Sequence, residues 1–221
     1  GDTARYGRPT VHVEHGTPAA INIGDYLVGV GYRLIAGLEG PASLRSDLLA
    51  ILSDAHVRLA RGQGAELWWR DVDDEVSSAE SLEIYGLKTS PAFEAAVAMG
   101  IRLGGLQADD PLSVTQYSLH VGTGFQVLND LKDWQGDLEN DRRVAGDVLG
   151  GRPTVMWALA LENLDKDGCA ELLEIKTACS KQRGEAAIDT TTAIQSARRL
   201  YRKAGVFSKA AAIVANERKL A

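Results

Sequence analysis

Side chains with carboxylate or amide oxygens recur between positions 124 and 137 at the three- and four-residue spacing of a helix face. At about 100° per residue, they fall within one arc of a helix. The members of this arc are Gln126, Asn129, Asp130, Asp133 and Asp137. The remaining arc is apolar and runs from Phe125 to Trp134. The sequence therefore predicts a mostly buried helix with a row of carboxylates along one side.

Buried carboxylates on one helix face repel one another and lose their hydration, and a bound divalent cation relieves both costs. Ligands that are all oxygen favour magnesium, which binds a few carboxylates, several waters and the phosphates of a substrate. The row therefore indicates a Mg2+ site. The spacing alone leaves a second interpretation open, in which the helix is amphipathic and its polar face is only solvated.

The length of 221 residues fits one large domain, and a hydrophobic fraction of 45% is enough for a sizeable core. A net charge of −6 makes nucleic acid an unfavourable partner. The two cysteines, Cys169 and Cys179, have neither a zinc-ligand spacing nor the number that a disulfide framework needs. We therefore expect a reduced, cytoplasmic setting.

The apolar segment 19–37 has the length of a membrane span, but Asn22, Asp25 and Arg33 interrupt it. Polar and charged groups are costly in lipid, so the segment is predicted to be a buried core helix rather than an integral membrane segment.

The rest of the chain reads as successive helices, without a convincing alternating strand, so the predicted fold class is all-α. One long helix is expected to open at Asp110 or Pro111, and an acidic loop is expected at 71–75. The other predicted helices are 44–59, ending near Gly62 and Gly64, then 78–86, 91–105, 154–164, 169–180, 193–205 and 207–220.

Basic residues occur at intervals in the sequence on both sides of the carboxylate row, and each of them alone is explained equally well as a solvated surface charge. Together they favour an anion site, because metal ions neutralise a diphosphate only in part. The members of this set are Arg5, Arg8, Lys88, Arg142, Arg143 and Arg152.

At these residues the chain resembles the trans-type (E-type) polyprenyl diphosphate synthase family. The segment 125–133 is similar to the family's second aspartate-rich motif, F-Q-x-x-D-D-x-x-D. Lys88-Thr89 resembles its K-T pair, and 147–154 resembles D-L-x-x-G-K-x-T. Segment 5–10 resembles R-R-G-x-P-T, Gly24-Asp25 a G-D pair and Gly62-Gln63 a G-Q pair. These matches occur in family order along nearly the whole chain.

The resemblance implies an isoprenoid synthase fold, a single-layer bundle of long helices around a central cavity. It implies condensation of an allylic prenyl diphosphate with isopentenyl diphosphate, with Mg2+ as cofactor, and a homodimer. The resemblance also implies roles for three sets of residues in this chain. The metal ligands would be Asn129, Asp130 and Asp133. The allylic diphosphate would be bound by Arg5, Lys88 and Arg152, with Arg142 as a lesser contributor. Lys88, Thr89 and Gln126 would form the catalytic set, the last two near the reacting carbons.

The sequence also departs from the family pattern. The family's first aspartate-rich motif would precede Gly1, so residues 1–221 are expected to be a polyprenyl synthase-like domain truncated there and at its C-terminus. Tyr6 stands where the family has an arginine, Asn129 replaces an aspartate and Arg152 replaces a lysine. Without the first motif, the chain as given is expected to be nearly inactive as an isopentenyl transferase.

Three alternatives to a chain-elongating transferase remain open on the sequence. One is a class I terpene synthase or another prenyltransferase of the same fold, because a cyclase has no need of an isopentenyl diphosphate site at Tyr6. A second is a non-catalytic partner subunit of a prenyl synthase, which Asn129 and Tyr6 both favour. The third is an unrelated helical scaffold.

Overall fold

The computed structural model describes residues 3–5, 7–71, 76–106, 110–135, 144–149, 152, 154–181 and 190–221. Two short strands, β1 (Ala4–Arg5) and β2 (Arg8–Pro9), pair antiparallel around a turn in which Gly7 has a φ of 68°. The helices that follow are α1 (Val11–His15), α2 (Thr17–Ala36), α3 (Ala42–Asp71), α4 (Ser78–Leu103), α5 (Pro111–Asp133), α6 (Gly146–Leu149), α7 (Val155–Asn163), α8 (Lys166–Lys181), α9 (Thr190–Lys203) and α10 (Val206–Leu220).

Local sequence signals explain where three of these helices begin. Ser77 and Glu80 form a reciprocal capping box at the start of α4. Asp110 accepts a hydrogen bond from the Leu112 amide at 3.0 Å and precedes Pro111, so the predicted opening of α5 is confirmed. Thr154 accepts a hydrogen bond from the Trp157 amide at 3.2 Å and starts α7.

The prediction of an all-α fold is confirmed, since 84% of the described residues are helical. Helices α2, α3, α4, α5 and α10 pack side by side in that order, and α7 packs against α4, α5 and α10. The main core surrounds α7, whose residues 155–160 are all buried. In the part of the chain that the structure describes, none of the helices combines the length and the apolar character needed to cross a bilayer.

Two of the predicted helix boundaries are wrong. The helix predicted to end near Gly62 continues to Asp71 as α3, and the segments 78–86 and 91–105 form the single helix α4 with Pro91 inside it. Glycine and proline weaken a helix interior. Here tertiary packing overrides that preference, because both Gly62 and Pro91 are buried where α4 meets its neighbours.

The prediction that segment 19–37 forms a buried core helix is also wrong. Ile35 is the buried residue of α2, whereas Tyr26 and Leu34 are each 69% exposed. The reason is that α2 packs against the short helix α1 and one side of α3, so most of its circumference faces outward. An apolar helical sequence predicts that the helix surface is buried, but it does not identify the element that buries it.

Glycines bring α3, α4 and α5 into close contact. A Cβ atom on Gly62 of α3 would lie 2.4 Å from the Lys88 backbone nitrogen of α4. A Cβ atom on Gly122 of α5 would lie 2.4 Å from Oγ of Ser90, also on α4. These contacts set the distances between the three helices, and therefore the positions of Lys88 and of the carboxylate row on α5.

We predict that Gly62→Ala destabilises the fold by about 2 kcal/mol, because the new methyl group must push the backbones of α3 and α4 apart. Gly64, two residues further on the same helix, is the matched control, since an added Cβ atom there meets nothing within 4 Å. Gly64→Ala should stabilise the protein by about 0.5–1 kcal/mol, the usual gain for this change in a helix. Urea denaturation measures both, and equal effects at the two positions would contradict the packing argument.

Candidate active site

A cavity of about 410 Å³ opens where β1, α3, α4, α5 and the N-terminus of α7 converge. Its lining combines four carboxylates with three cationic side chains. The lining residues are Arg5, Glu66, Tyr85, Lys88, Phe125, Gln126, Asn129, Asp130, Asp133, Asp147, Arg152 and Thr154. A cavity with both signs of charge suits an anion that arrives with metal cations, because each partner meets side chains of opposite charge.

Asp130 is the most deeply buried carboxylate of the cavity, with 4% of its surface exposed. The Tyr85 hydroxyl donates a hydrogen bond of 2.5 Å to its Oδ2 atom. The same hydroxyl oxygen accepts a hydrogen bond of 2.9 Å from the Val155 amide at the start of α7. One phenol thus links α4, α5 and α7 at the carboxylate row.

Burial raises the pKa of Asp130 well above its usual range. The hydrogen bond from Tyr85 opposes that increase, as does the charge of Lys88, whereas the charges of Asp147 and Asp133 add to it. Burial likewise raises the pKa of Tyr85, which therefore keeps its proton and remains a donor. A divalent cation would favour the ionised form of Asp130 and offset the cost of its burial.

Asp133 is held by the segment before α6. Its backbone carbonyl accepts a hydrogen bond of 2.9 Å from the Ala145 amide, and its Oδ2 atom accepts one of 3.1 Å from the Asp147 amide. Ala145 is buried with a φ of 57°, a left-handed conformation that is unfavourable for alanine. This turn directs the chain so that Asp147 joins the carboxylates of α5 in the cavity.

The cationic side chains of the cavity lie beside carboxylates. Nζ of Lys88 pairs with Oε2 of Glu66 on α3, and Nη1 of Arg152 lies 3.2 Å from Oδ1 of Asp147. Arg5 reaches the lining from β1. In this arrangement acids and bases balance one another, and an incoming metal–anion complex could exchange these pairs for its own contacts.

The structure brings together seven of the residues predicted from sequence: Arg5, Lys88, Gln126, Asn129, Asp130, Asp133 and Arg152 all line the cavity. Thr89 does not belong to the lining, but its hydroxyl donates a hydrogen bond of 3.2 Å to Oε1 of Gln126. Arg142, Asp137 and Tyr6 lie outside the described residues.

Sequence reasoning missed Glu66, Tyr85, Phe125, Asp147 and Thr154 as lining residues. Asp147 and Thr154 belong to the segment that resembles D-L-x-x-G-K-x-T, and Phe125 opens the aspartate motif. Glu66 lies one helical turn after Gly62. These four could have been found by following the quoted motifs along their helices. Tyr85 had no such signal, because its contact with Asp130 joins positions 45 residues apart.

Within the described ranges, no three histidine, cysteine or acidic side chains converge on one metal-binding point. Asp130 and Asp133 each accept a hydrogen bond from a donor of the protein itself. The donor set still fits magnesium, since Asn129, Asp130, Asp133 and Asp147 supply only oxygen ligands around one cavity.

The sequence matches the polyprenyl synthetase family over residues 1–193, and the chain belongs to that family. A similar curated protein is the short chain isoprenyl diphosphate synthase of Methanocaldococcus jannaschii, 30% identical over 175 residues. That match covers 79% of this chain and 53% of the relative. The chain therefore spans about half the length of this curated relative.

Solved structures agree with the fold. The geranylgeranyl pyrophosphate synthetase of Pyrococcus horikoshii superposes with a TM-score of 0.83 at 27% identity, covering 99% of this chain and 64% of that one. The geranylgeranyl pyrophosphate synthase of Corynebacterium glutamicum, complexed with isoprenyl diphosphate and magnesium, has a TM-score of 0.83 at 18% identity. It covers 99% of this chain and 64% of that one, and at this identity it bears on the fold alone.

We predict that Asp130→Asn stabilises the metal-free protein at neutral pH. Between the ordinary aspartate pKa of about 3.9 and the raised pKa of Asp130, only the folded state binds the proton, so stability falls as pH rises through that interval. Asparagine carries no charge and can still accept the hydrogen bond from Tyr85. A gain of about 1 kcal/mol would raise Tm by about 2–4 °C.

The gain should shrink as the pH is lowered toward 4, where the wild-type carboxyl is itself neutral. Circular dichroism melts at several pH values measure it, with Asp25→Asn on the outer side of α2 as an exposed control that should leave Tm unchanged. A lower Tm for Asp130→Asn at pH 7 would contradict the burial cost assigned to this carboxylate.

Proposed function

We propose that this chain carries the catalytic domain of a Mg2+-dependent prenyltransferase of isoprenoid biosynthesis. It would join an allylic prenyl diphosphate to isopentenyl diphosphate and release pyrophosphate. The observation that carries this proposal is the cavity itself, in which the carboxylates of α5 face Lys88, Arg152 and Arg5. Family membership and the prenyl diphosphate synthases among its relatives support the same reaction class.

Asn129, Asp130 and Asp133 would hold the metal, with Asp147 of α6 as a further oxygen donor. Magnesium, when bound there, would neutralise the diphosphate and so help it to leave. Arg152, Lys88 and Arg5 would bind the phosphate oxygens and favour the charge that builds up on them as the allylic C–O bond breaks.

Gln126 and Thr89 would lie beside the reacting carbons. The Thr89 hydroxyl fixes the side-chain amide of Gln126 through its hydrogen bond to Oε1. This hydrogen bond would hold the amide group in place at the cavity that Gln126 lines. The electron pair of the isopentenyl double bond would form the new C–C bond at the allylic carbon, and the product would lose a proton to the departing pyrophosphate.

We predict that Asp130→Ala and Asp133→Ala each weaken Mg2+-dependent binding of pyrophosphate at least about tenfold, since each removes a charged metal ligand. Isothermal titration calorimetry with pyrophosphate, at fixed Mg2+, measures the loss. Asp25→Ala is the control, because Asp25 is an exposed aspartate outside the cavity lining. Unchanged binding in both cavity variants would remove the metal-site proposal.

Product formation tests the reaction. The protein is incubated with Mg2+ and an allylic diphosphate, with and without isopentenyl diphosphate. In a chain extended upstream of Gly1, a longer prenyl diphosphate that forms only when both substrates are present is the expected result. Consumption of the allylic diphosphate alone would identify a cyclase instead. Binding of substrates without turnover, also in a chain extended upstream of Gly1, would identify a non-catalytic subunit.

We further propose that the protein is a homodimer that pairs through α2. Ile23, Leu27 and Leu34 fall within one narrow arc of this helix, and all three side chains are exposed. An exposed apolar stripe on a long helix is typical of an interface, and a second copy of the chain presents the same stripe for a symmetric contact.

Light scattering should accordingly give twice the chain mass of 23.7 kDa at micromolar concentration. The double variant Leu27→Asp, Leu34→Asp should shift the protein toward the monomer, because an aspartate pair in an apolar contact is strongly unfavourable. Leu112→Asp is the control, since Leu112 is 70% exposed on α5, outside the stripe. A wild-type protein that is monomeric, or a double variant that stays dimeric, would contradict pairing through α2.

A further inference from the structure

We propose that Tyr85 is a positioning residue that holds Asp130 in the orientation needed to bind the metal. The inference rests on the function proposed for the cavity, and it adds a residue on α4 that does not itself contact the metal. Tyr85 is 2% exposed and belongs to the main core, so its ring is fixed by packing on all sides.

The hydrogen bonds of Tyr85 define the direction of its proton. The hydroxyl oxygen accepts from the Val155 amide, and the single hydroxyl proton is donated to Oδ2 of Asp130. A hydroxyl has one proton to give, so the amide contact on one side leaves it directed at the carboxylate on the other. The carboxylate is thereby held in one rotamer.

This orientation has a consequence for the cavity. Because the phenol fixes Oδ2, Asp130 presents its carboxylate in one orientation to a ligand in the cavity it lines. Groups behind a metal ligand fix its direction in this way, and their loss commonly lowers metal affinity about ten- to a hundredfold. Tyr85 therefore acts through Asp130 rather than on the metal directly.

A second tyrosine of the same core provides a matched comparison for the Tyr85 hydroxyl. Tyr201 on α9 is fully buried beside Trp134 and Phe207. Its hydroxyl finds no hydrogen-bond partner within the described part of the chain. Two buried tyrosines of one core thus differ in the single respect that matters here, namely whether the hydroxyl reaches a cavity carboxylate.

The Tyr85 hydroxyl also accepts a hydrogen bond from a first-turn amide of α7. This structural role must be distinguished from the proposed role of the hydroxyl in orienting Asp130. Loss of that contact would disturb the start of α7 and the cavity beside it, and excess Mg2+ would not restore the binding lost to such a disturbance. A shift of the Mg2+ midpoint alone is therefore the result expected of a positioning residue.

The experiment measures pyrophosphate binding by calorimetry across a Mg2+ series for the wild type, Tyr85→Phe and Tyr201→Phe. In Tyr85→Phe, the Mg2+ concentration that gives half-maximal binding should rise about tenfold. Binding should return to the wild-type level at saturating Mg2+, because only metal affinity is impaired. The control Tyr201→Phe should retain the wild-type midpoint, even if its Tm changes.

Several results would overturn the proposal. An unchanged midpoint in Tyr85→Phe would do so, as would a loss that excess Mg2+ does not restore, since that marks a general distortion of the cavity. An equal shift in Tyr201→Phe would assign the effect to packing. If the wild type bound pyrophosphate without any dependence on Mg2+, the proposed function would fail, and the role of Tyr85 with it.

A measurement on the intact tyrosine does not depend on the folding of Tyr85→Phe. With ¹³Cζ-tyrosine labelling, the chain gives resonances from six tyrosines. The resonance of Tyr85 is the one displaced most by Asp130→Asn, because its acceptor loses its charge. In the wild type this resonance should also move when Mg2+ and pyrophosphate are added together. If the Tyr85 resonance shifts in Asp130→Asn but does not shift when Mg2+ and pyrophosphate are added, the link to the metal is refuted.

Discussion

A carboxylate buried at the junction of three helices is the most demanding feature of this fold. Asp130 loses almost all of its hydration, and the chain offsets that cost with the Tyr85 hydroxyl and the charge of Lys88. Both residues come from α4, and Tyr85 is in turn tied to the start of α7. The positions of α4, α5 and α7 are therefore coupled through one acidic group. Such an arrangement sacrifices stability for function, since a neutral side chain at position 130 would be easier to bury.

Close helix contacts make that junction possible. Gly62 lets α3 approach the backbone of α4 at Lys88, and Gly122 lets α5 approach α4 at Ser90. Lys88 lies between these contacts and the carboxylate row, where it pairs with Glu66 of α3. The same small residues that shape the packing thus determine the distance across which acidic and basic side chains face one another. Fold and site are specified by one set of contacts rather than by two.

The sequence was informative where a signal is local. The opening of α5 and the carboxylate row along it were predictable, because a cap at Asp110 and a helical period are both properties of neighbouring residues. The continuity of α3 through Gly62 was not predictable, because a glycine indicates a helix end unless the neighbouring helix that requires it, here α4, is known. The exposure of α2 depends on which elements cover it, and the contact of Tyr85 with Asp130 depends on tertiary structure. Periodicity contains neither kind of information.

The hydrogen bonds that hold Asp130 and Asp133 also bear on which ion the site would prefer. Tyr85 engages Oδ2 of the first, and the Asp147 amide engages Oδ2 of the second. Each of these hydrogen bonds occupies a lone pair of Oδ2, which would favour coordination of each carboxylate through a single oxygen. Calcium accepts bidentate carboxylates and six to eight oxygens at about 2.4 Å, whereas magnesium requires a compact octahedron at about 2.1 Å and keeps several waters. Groups of the protein that do not contact the ion would in this way discriminate against the larger of the two cations.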